Sequence, residues 1–223
     1  MAASVQSPAD VVNLAADPRG THIKFEKGDG VHSIVEIGLK PGDARAGSAT
    51  EAAEQGERIE KYAAGLWRYS ARVADQLDSN PDGSSVYRPS WGWYALSERT
   101  LYQGSGGSDL AGFLRVSGTD GDSTAIKTAV NIGIRAKAML PGRGEDVFGL
   151  AYTRAALSGK WRSLQATLGT PTSTFEDAWE ATYRIQAGKW LALQPVIQRI
   201  NHPGGNASRD SSNIVGLRVD MTF

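Results

Sequence analysis

The chain contains no cysteine. Disulfides, thiolate zinc sites, iron–sulfur clusters and cysteine nucleophiles are thereby excluded. Net charge is missing too: 24 Lys and Arg stand against 24 Asp and Glu. There is no protein-wide basic field to draw nucleic acid, and no such partner is expected. No segment reaches the roughly 20 apolar residues of a membrane-spanning helix. Met1 to Gly20 shows no basic stretch followed by an apolar run, so it does not read as a secretory signal. Histidines are few (His22, His32 and His202), and none stands at metal-ligand spacing from another. The G-x-S-x-G, Walker A and G-x-G-x-x-G elements are lacking. Gly104-Ser105-Gly106-Gly107 is glycine-rich, but no helical pattern follows it, and it reads as a turn. The acidic pairs Glu145-Asp146 and Glu176-Asp177 fall at turn or loop ends, where carboxylates cap or stay solvated. Neither an enzyme nor a cofactor is expected from this inventory.

The chain does have glycine and aromatics: 26 Gly, six Trp and seven Tyr in 223 residues. It also has alternation. Val215, Leu217, Val219, Met221 and Phe223 are apolar, while Gly216, Arg218, Asp220 and Thr222 between them are small or polar. A period of two without a miss over the nine residues Val215 to Phe223 is a strand with one apolar face, placed at 213–223. Trp179, Ala181, Tyr183 and Ile185 alternate with Glu180, Thr182, Arg184 and Gln186. Ala187-Gly188-Lys189 then joins them to Trp190–Ile200, which makes a hairpin. Ile126–Lys137 alternates as well, and a further strand spans about Asp146–Ser158. Weaker strands are Val31–Leu39, Tyr62–Ser70, Trp91–Tyr102 and Leu110–Ser117, with Thr21–Glu26 as one more. The fold class is therefore all-β, with nine or ten antiparallel strands. Arg72–Pro89, Gly159–Phe175 and Asn201–Ser212 read as long loops. Ala49–Lys61, rich in Ala and Glu, reads as a short helix or charged surface segment.

From Phe223 backwards the connections run long, short, long, short, as in outer-membrane barrels. Two upstream connections break the rhythm: Gly118–Ser123 is short and Lys40–Glu60 is long. Charged residues fill the polar strand face. In a soluble sandwich that face would meet solvent and the apolar face would be the core. In a membrane barrel the polar face lines a wet lumen and the apolar face meets lipid. Trp179, Trp190 and Phe223 near strand ends, with Trp67 and Tyr69 on the outward face, have the placement of an interfacial girdle, with ordinary hydrophobic packing as the alternative. Pro195 removes one ladder hydrogen bond and requires local repair.

The run Glu180-Ala181-Thr182-Tyr183-Arg184-Ile185-Gln186 resembles the OprB-like carbohydrate-selective porin family. So do Trp190-Leu191-Ala192-Leu193-Gln194-Pro195, Asn201-His202-Pro203-Gly204-Gly205 and the ending Gly216 to Phe223. Weaker echoes lie in Lys61–Ser70, Phe113–Val116 and Arg143–Val147. The resemblance covers roughly residues 20–223. Val196 stands where the family usually has an acidic residue, and Arg199 where an aromatic is expected on the lipid-facing parity. The Ala49–Glu60 insertion has no counterpart.

The resemblance implies a single barrel region over 1–223, with a poorly defined segment at 1–20 and a charged insertion at 40–60. It would be a C-terminal portion of a 16-stranded transmembrane β-barrel that passes sugars by diffusion. Mono- or oligosaccharides are the implied solutes, and outer-membrane lipid and lipopolysaccharide the surroundings. The outer-membrane assembly machinery is the implied inserter, and a homotrimer is left open. The expected pore-lining residues are Glu36, Arg68, Arg115, Lys127, Arg135, Glu180, Arg184, Gln194, Gln198, Arg218 and Asp220, a net positive wall. Phe223 is the expected assembly signal. Two alternatives stand beside this reading, a truncated non-conducting porin fragment and a soluble β-sandwich that binds carbohydrate.

Overall fold

The computed structural model describes residues 2–6, 30–41 and 59–222. Ten strands form one sheet: β1 (Ala2–Gln6), β2 (Gly30–Leu39), β3 (Glu60–Ser79), β4 (Ser85–Gln103), β5 (Asp109–Thr119), β6 (Ile126–Lys137), β7 (Val147–Leu157), β8 (Phe175–Gln186), β9 (Leu191–Asn201) and β10 (Ser212–Met221). Each pairs antiparallel with its sequence neighbours, so the sheet is a meander in chain order. Among the described residues, the outer edges of β1 and β10 have no strand partner.

The register sorts the side chains, because residues level with one another across a sheet share a face. Val35, Leu66 and Trp93 lie on one level. Leu114, Ile132, Tyr152 and Trp179 lie on another. With Ile197, Val215 and Val219 they make an apolar face. That face is open: Leu66 is 62% exposed and Val215 79%. The buried hydrophobic residues, among those described, are only the alanines Ala63, Ala111, Ala136 and Ala192. A sandwich would cover the apolar face with a second sheet. All ten strands belong to one sheet, which sets the soluble-sandwich alternative aside.

Several expectations are corrected here. Arg72–Pro89 is no loop. β3 and β4 continue past their neighbours as a two-stranded ribbon, up to a turn at 80–84. Irregular register between Tyr69 and Arg72, and again between Ala74 and Ser79, destroys the alternation that would have announced it. The 158–174 connection contains a helix, α1 (Gly159–Thr167), whose Ser158 cap accepts the Trp161 N–H and which stops before Gly169 at φ 74°. The strand Ala2–Gln6, paired with β2, lies in the N-terminal segment where no element was expected. The predicted strand at 21–26, most of the charged insertion (42–58) and Phe223 lie outside the described residues. The glycine-rich stretch at 104–107 does form a tight turn, with Gly106 and Gly107 at φ 70° and 79°.

Pro195 is accommodated locally. The β8–β9 ladder is interrupted between Thr182 and Ile185. Thr182 Oγ1 donates to the Pro195 carbonyl at 3.1 Å and accepts from Gln194 Nε2 at 2.8 Å, so side chains take over part of the missing ladder.

Candidate functional site: the polar face of the sheet

The face opposite the apolar one carries most of the predicted site residues. Glu36 lies level with Gly65 and Tyr94, and its carboxylate accepts the Tyr94 hydroxyl proton at 2.5 Å. Arg115 lies level with Asn131 and Thr153. Glu180 faces Gln198, which donates to it. Gln194 faces Arg218. Arg135 shares the face, and Lys127 belongs to it by alternation. Lys127 sits at an irregularity where Ile126 and Thr128 oppose consecutive residues of β7.

Arg68 is the exception. It lies level with Ser33 and Trp91, on the apolar face, with Leu66 two residues away. Trp67 and Tyr69 are correspondingly on the polar face, level with Gly92 and Ser90. The reason is space. A Cβ at Gly92 would lie 2.7 Å from the Trp67 ring, so that ring occupies the room the glycine leaves. The same holds for Tyr94 over Gly65 and Tyr69 over Gly30. A charged residue between two aromatics suggests the opposite parity, and only the cross-strand register resolves it. Arg199, placed by sequence on the apolar parity, is there, level with Trp179 and Asn213 and two residues from the end of β9. Its Nε reaches Asn201 Oδ1 at 3.4 Å, at the rim.

The polar-face cations are largely paired. Arg115 meets Glu98 at 2.6 Å, Arg135 meets Asp109 at 2.5 Å, and Arg218 meets Asp220 at 2.8 Å. Arg184 approaches the same Asp220 at 4.0 Å. Glu98 and Asp109 were not singled out from sequence, yet they turn the expected net positive wall into a mostly compensated one. Alternation could have found both, because each lies opposite a polar-face residue of the neighbouring strand. The face thus separates into two groups. Arg184, Arg218, Asp220 and Gln194 gather on β8–β10. Glu180 and Gln198 join Phe113, Arg115, Asn131 and Thr153 around a recess of about 240 Å³.

A third polar group stands beyond the regular sheet, at the end with the longer loops. Asp75 on the β3–β4 ribbon has a fully buried side chain. Lys160 of α1 reaches Asp75 at 2.6 Å, Asp78 at 2.7 Å and Asp122 at 2.9 Å, and Arg88 adds 2.7 Å to Asp75. Burial favours the neutral form of Asp75. The backbone N–H groups of Asp78 and Leu77, with the Lys160 and Arg88 side chains, outweigh it and hold the carboxyl far below the usual carboxylate range. Those carboxylates, Asp75 first, hold the Lys160 ammonium above the usual lysine range. Ser158 and Gln76 tie the same region to the 120–125 turn through the Gly121, Asp122 and Thr124 carbonyls. The connection after β7 is therefore drawn across β4–β6 to the ribbon.

The chain is similar to Porin B of Pseudomonas aeruginosa, at 21% identity over 186 residues, covering 73% of this chain and 41% of that relative. Among solved structures it resembles Pseudomonas putida OprB, from a high-pH form. The TM-score is 0.70 at 18% identity, over 88% of this chain and 49% of that one. This second likeness shows the fold, the wall of a porin barrel. The chain thus spans less than half the length of either relative. Residues 1–223 match the family described as carbohydrate-selective porin, OprB family, and the chain belongs to that family.

Proposed function

We propose that this chain forms wall of an outer-membrane channel that passes neutral sugars by diffusion along its polar face. One observation carries the reading: a single ten-stranded sheet with an open apolar face and, behind it, a face dense in hydrogen-bonding groups. The apolar face meets lipid. Trp91, Trp93 and Trp179 stand on it toward the longer-loop end, and Tyr102 toward the other end, with Trp190 just ahead of β9, the placement of interfacial girdles. Arg199 shares that face near the end of β9 and Arg68 shares it level with Ser33 near the start of β2, where a long side chain snorkels to the headgroups. The polar face offers sugars weak, repeated donors and acceptors, which lets a solute enter and leave. Phe223, the aromatic that closes the alternating run Val215-Leu217-Val219-Met221, is the residue we assign to recognition by the outer-membrane assembly machinery. Deleting it should lower insertion without changing the conductance of channels that do insert.

Liposome swelling tests the reading. Vesicles containing the refolded chain should swell in mono- and oligosaccharides at a rate that falls with solute size. Replacing both Arg184 and Arg218 by Ala leaves Asp220 uncompensated, so current should shift towards cations and sugar flux should change. Unchanged selectivity and flux would remove these arginines from the pore. A second reading has its own support, since β10 has an open edge among the described residues and the chain covers under half of its relatives. On that reading the chain inserts without conducting, and only a longer relative swells the vesicles.

A further inference from the structure

Two arginines on the apolar face have no charge of opposite sign beside them. Arg68 lies level with Ser33 and Trp91, and Arg72 lies level with Pro89. Pro89 and Trp91 are two apart on β4 and share its apolar side, so both arginines stand on that side. Both are exposed, and among the described residues neither has a hydrogen-bond or ion-pair partner.

The register irregularity draws the pair together. Between Tyr69 and Arg72, β3 advances three residues while β4 advances one. Arg72 is therefore one same-face step from Arg68, about 7 Å along the sheet, where a regular strand would hold the two about 13 Å apart. The other arginines of this face are answered. Arg99, towards the other end of β4, lies level with Glu60. Arg154 lies level with Asp177, and its guanidinium stands 3.7 Å from the Phe175 ring centroid. Arg199 reaches Asn201.

A guanidinium pair on a lipid-facing surface is costly unless it reaches the interface and meets an anion there. Depth decides which anion. Along β4 this face runs Trp93, Trp91, Pro89 and Tyr87 towards the longer-loop end. Tryptophan marks the headgroup level, so Arg68 beside Trp91 and Arg72 one step beyond it stand among headgroups. Longer loops in outer-membrane barrels are extracellular, and the leaflet on that side carries phosphorylated glycolipid. Two planar guanidinium forks about 7 Å apart suit a phosphate, which accepts paired N–H groups from each.

We propose that Arg68 and Arg72, with Trp91 beneath them, form a docking site for the phosphorylated sugar headgroup of an outer-leaflet glycolipid, whose acyl chains run down the apolar face past Leu66 and Trp93. The proposal rests on the outer-membrane reading above and gives the lipid side of the wall a specific occupant.

Native mass spectrometry of the chain refolded in detergent tests it, with diphosphoryl lipid A as probe and phosphate-free lipid A as reference. A heat-dependent gel shift checks folding of each variant. The unaltered chain should hold the diphosphoryl form at least about tenfold more tightly than the phosphate-free form. The double variant Arg68→Gln/Arg72→Gln should hold both forms alike, each as tightly as the unaltered chain holds the phosphate-free one, a pattern that misfolding does not produce. Arg99→Gln removes the same charge from the same face away from the pair, and it should keep the preference. No preference in the unaltered chain, a preference that survives in the double variant, or loss of the preference in Arg99→Gln overturns the proposal. So does displacement of the lipid by millimolar inorganic phosphate, which would assign the pair to the free anion. Liposome swelling separates this claim from the channel reading. A chain that swells vesicles without preferring the phosphorylated lipid keeps the channel and loses the site. A chain that does not conduct but holds that lipid through the two arginines keeps the site and loses the channel.

Discussion

At the residue scale, glycine next to an aromatic ring on the adjacent strand decides how this wall is packed. A Cβ at Gly92 would stand 2.5 Å from the Gly118 carbonyl oxygen and 2.7 Å from the Trp67 ring, and a backbone oxygen cannot swing away. Gly92→Ala should therefore cost about 1–3 kcal/mol, in the range of overpacked sites. Gly216, with nothing within 4 Å of its missing Cβ, is the control: Gly216→Ala should stay within about 0.5 kcal/mol. Urea midpoints of the refolded chain measure both, and equal shifts would contradict the packing account. These pairs also explain what could be read in advance and what could not. The polar placement of Glu36, Arg115, Glu180, Arg184 and Arg218 follows from simple alternation with apolar neighbours. Arg68 does not, because Trp67 and Tyr69 on either side of it are large and apolar yet sit on the polar face over Gly92 and Gly30. That fact belongs to neighbouring strands, and one strand's own pattern does not contain it. The recess at Phe113 was hidden for the same reason, since its members come from five strands.

At the scale of elements, the β3–β4 ribbon and α1 show where the periodic signal stops. The regular strands were legible because a half-apolar sheet must alternate. On the ribbon, Asp75 and Asp78 fall within the second register shift and Arg88 lies opposite Val73 just before it, so the ribbon's order comes from ion pairs that no period announces. Lys160 is 82 residues from Asp78, yet it holds α1 to that ribbon. Lys160→Met should free the 159–174 segment and speed its cleavage by protease by about an order of magnitude at neutral pH. The pH dependence follows from the shifts. Asp75 titrates below its unfolded value of about 3.9, so its contribution is present above that value and fades as pH falls towards the folded one. Lys160 titrates above its unfolded value of about 10.4, so its contribution is complete below that and fades only as pH rises through the folded one. Cleavage should stay flat from about pH 5 to about pH 9 and rise below about pH 4. A rise between pH 5 and 7 would assign the tether to other groups.

For the whole molecule, the arithmetic of backbone hydrogen bonds sets the condition for function. Hydrocarbon offers no partner for an N–H or C=O group, so a sheet survives in a bilayer only where its edges are paired. Among the described residues the outer edge of β10 is open, with nearly every side chain of that strand exposed, whereas β4 to β8 are paired on both sides. The 223-residue chain refolded in detergent should therefore exchange its β10 amide hydrogens at least about tenfold faster than those of β6, since unpaired edges open at little free-energy cost. In vesicles, where water no longer reaches the edge, β10 should be protected in every molecule that inserts, because only molecules with a covered edge are stable there. The chain's lack of cysteine makes the covering partner identifiable. One cysteine at Val219, treated with a short bifunctional maleimide, should join two chains if a second copy covers β10. It should give uncrosslinked monomer if β1 or a longer relative does. Equal exchange of β10 and β6 in detergent would show that the edge is already covered before the membrane is met, and the crosslink would then tell a second copy from closure within the chain itself.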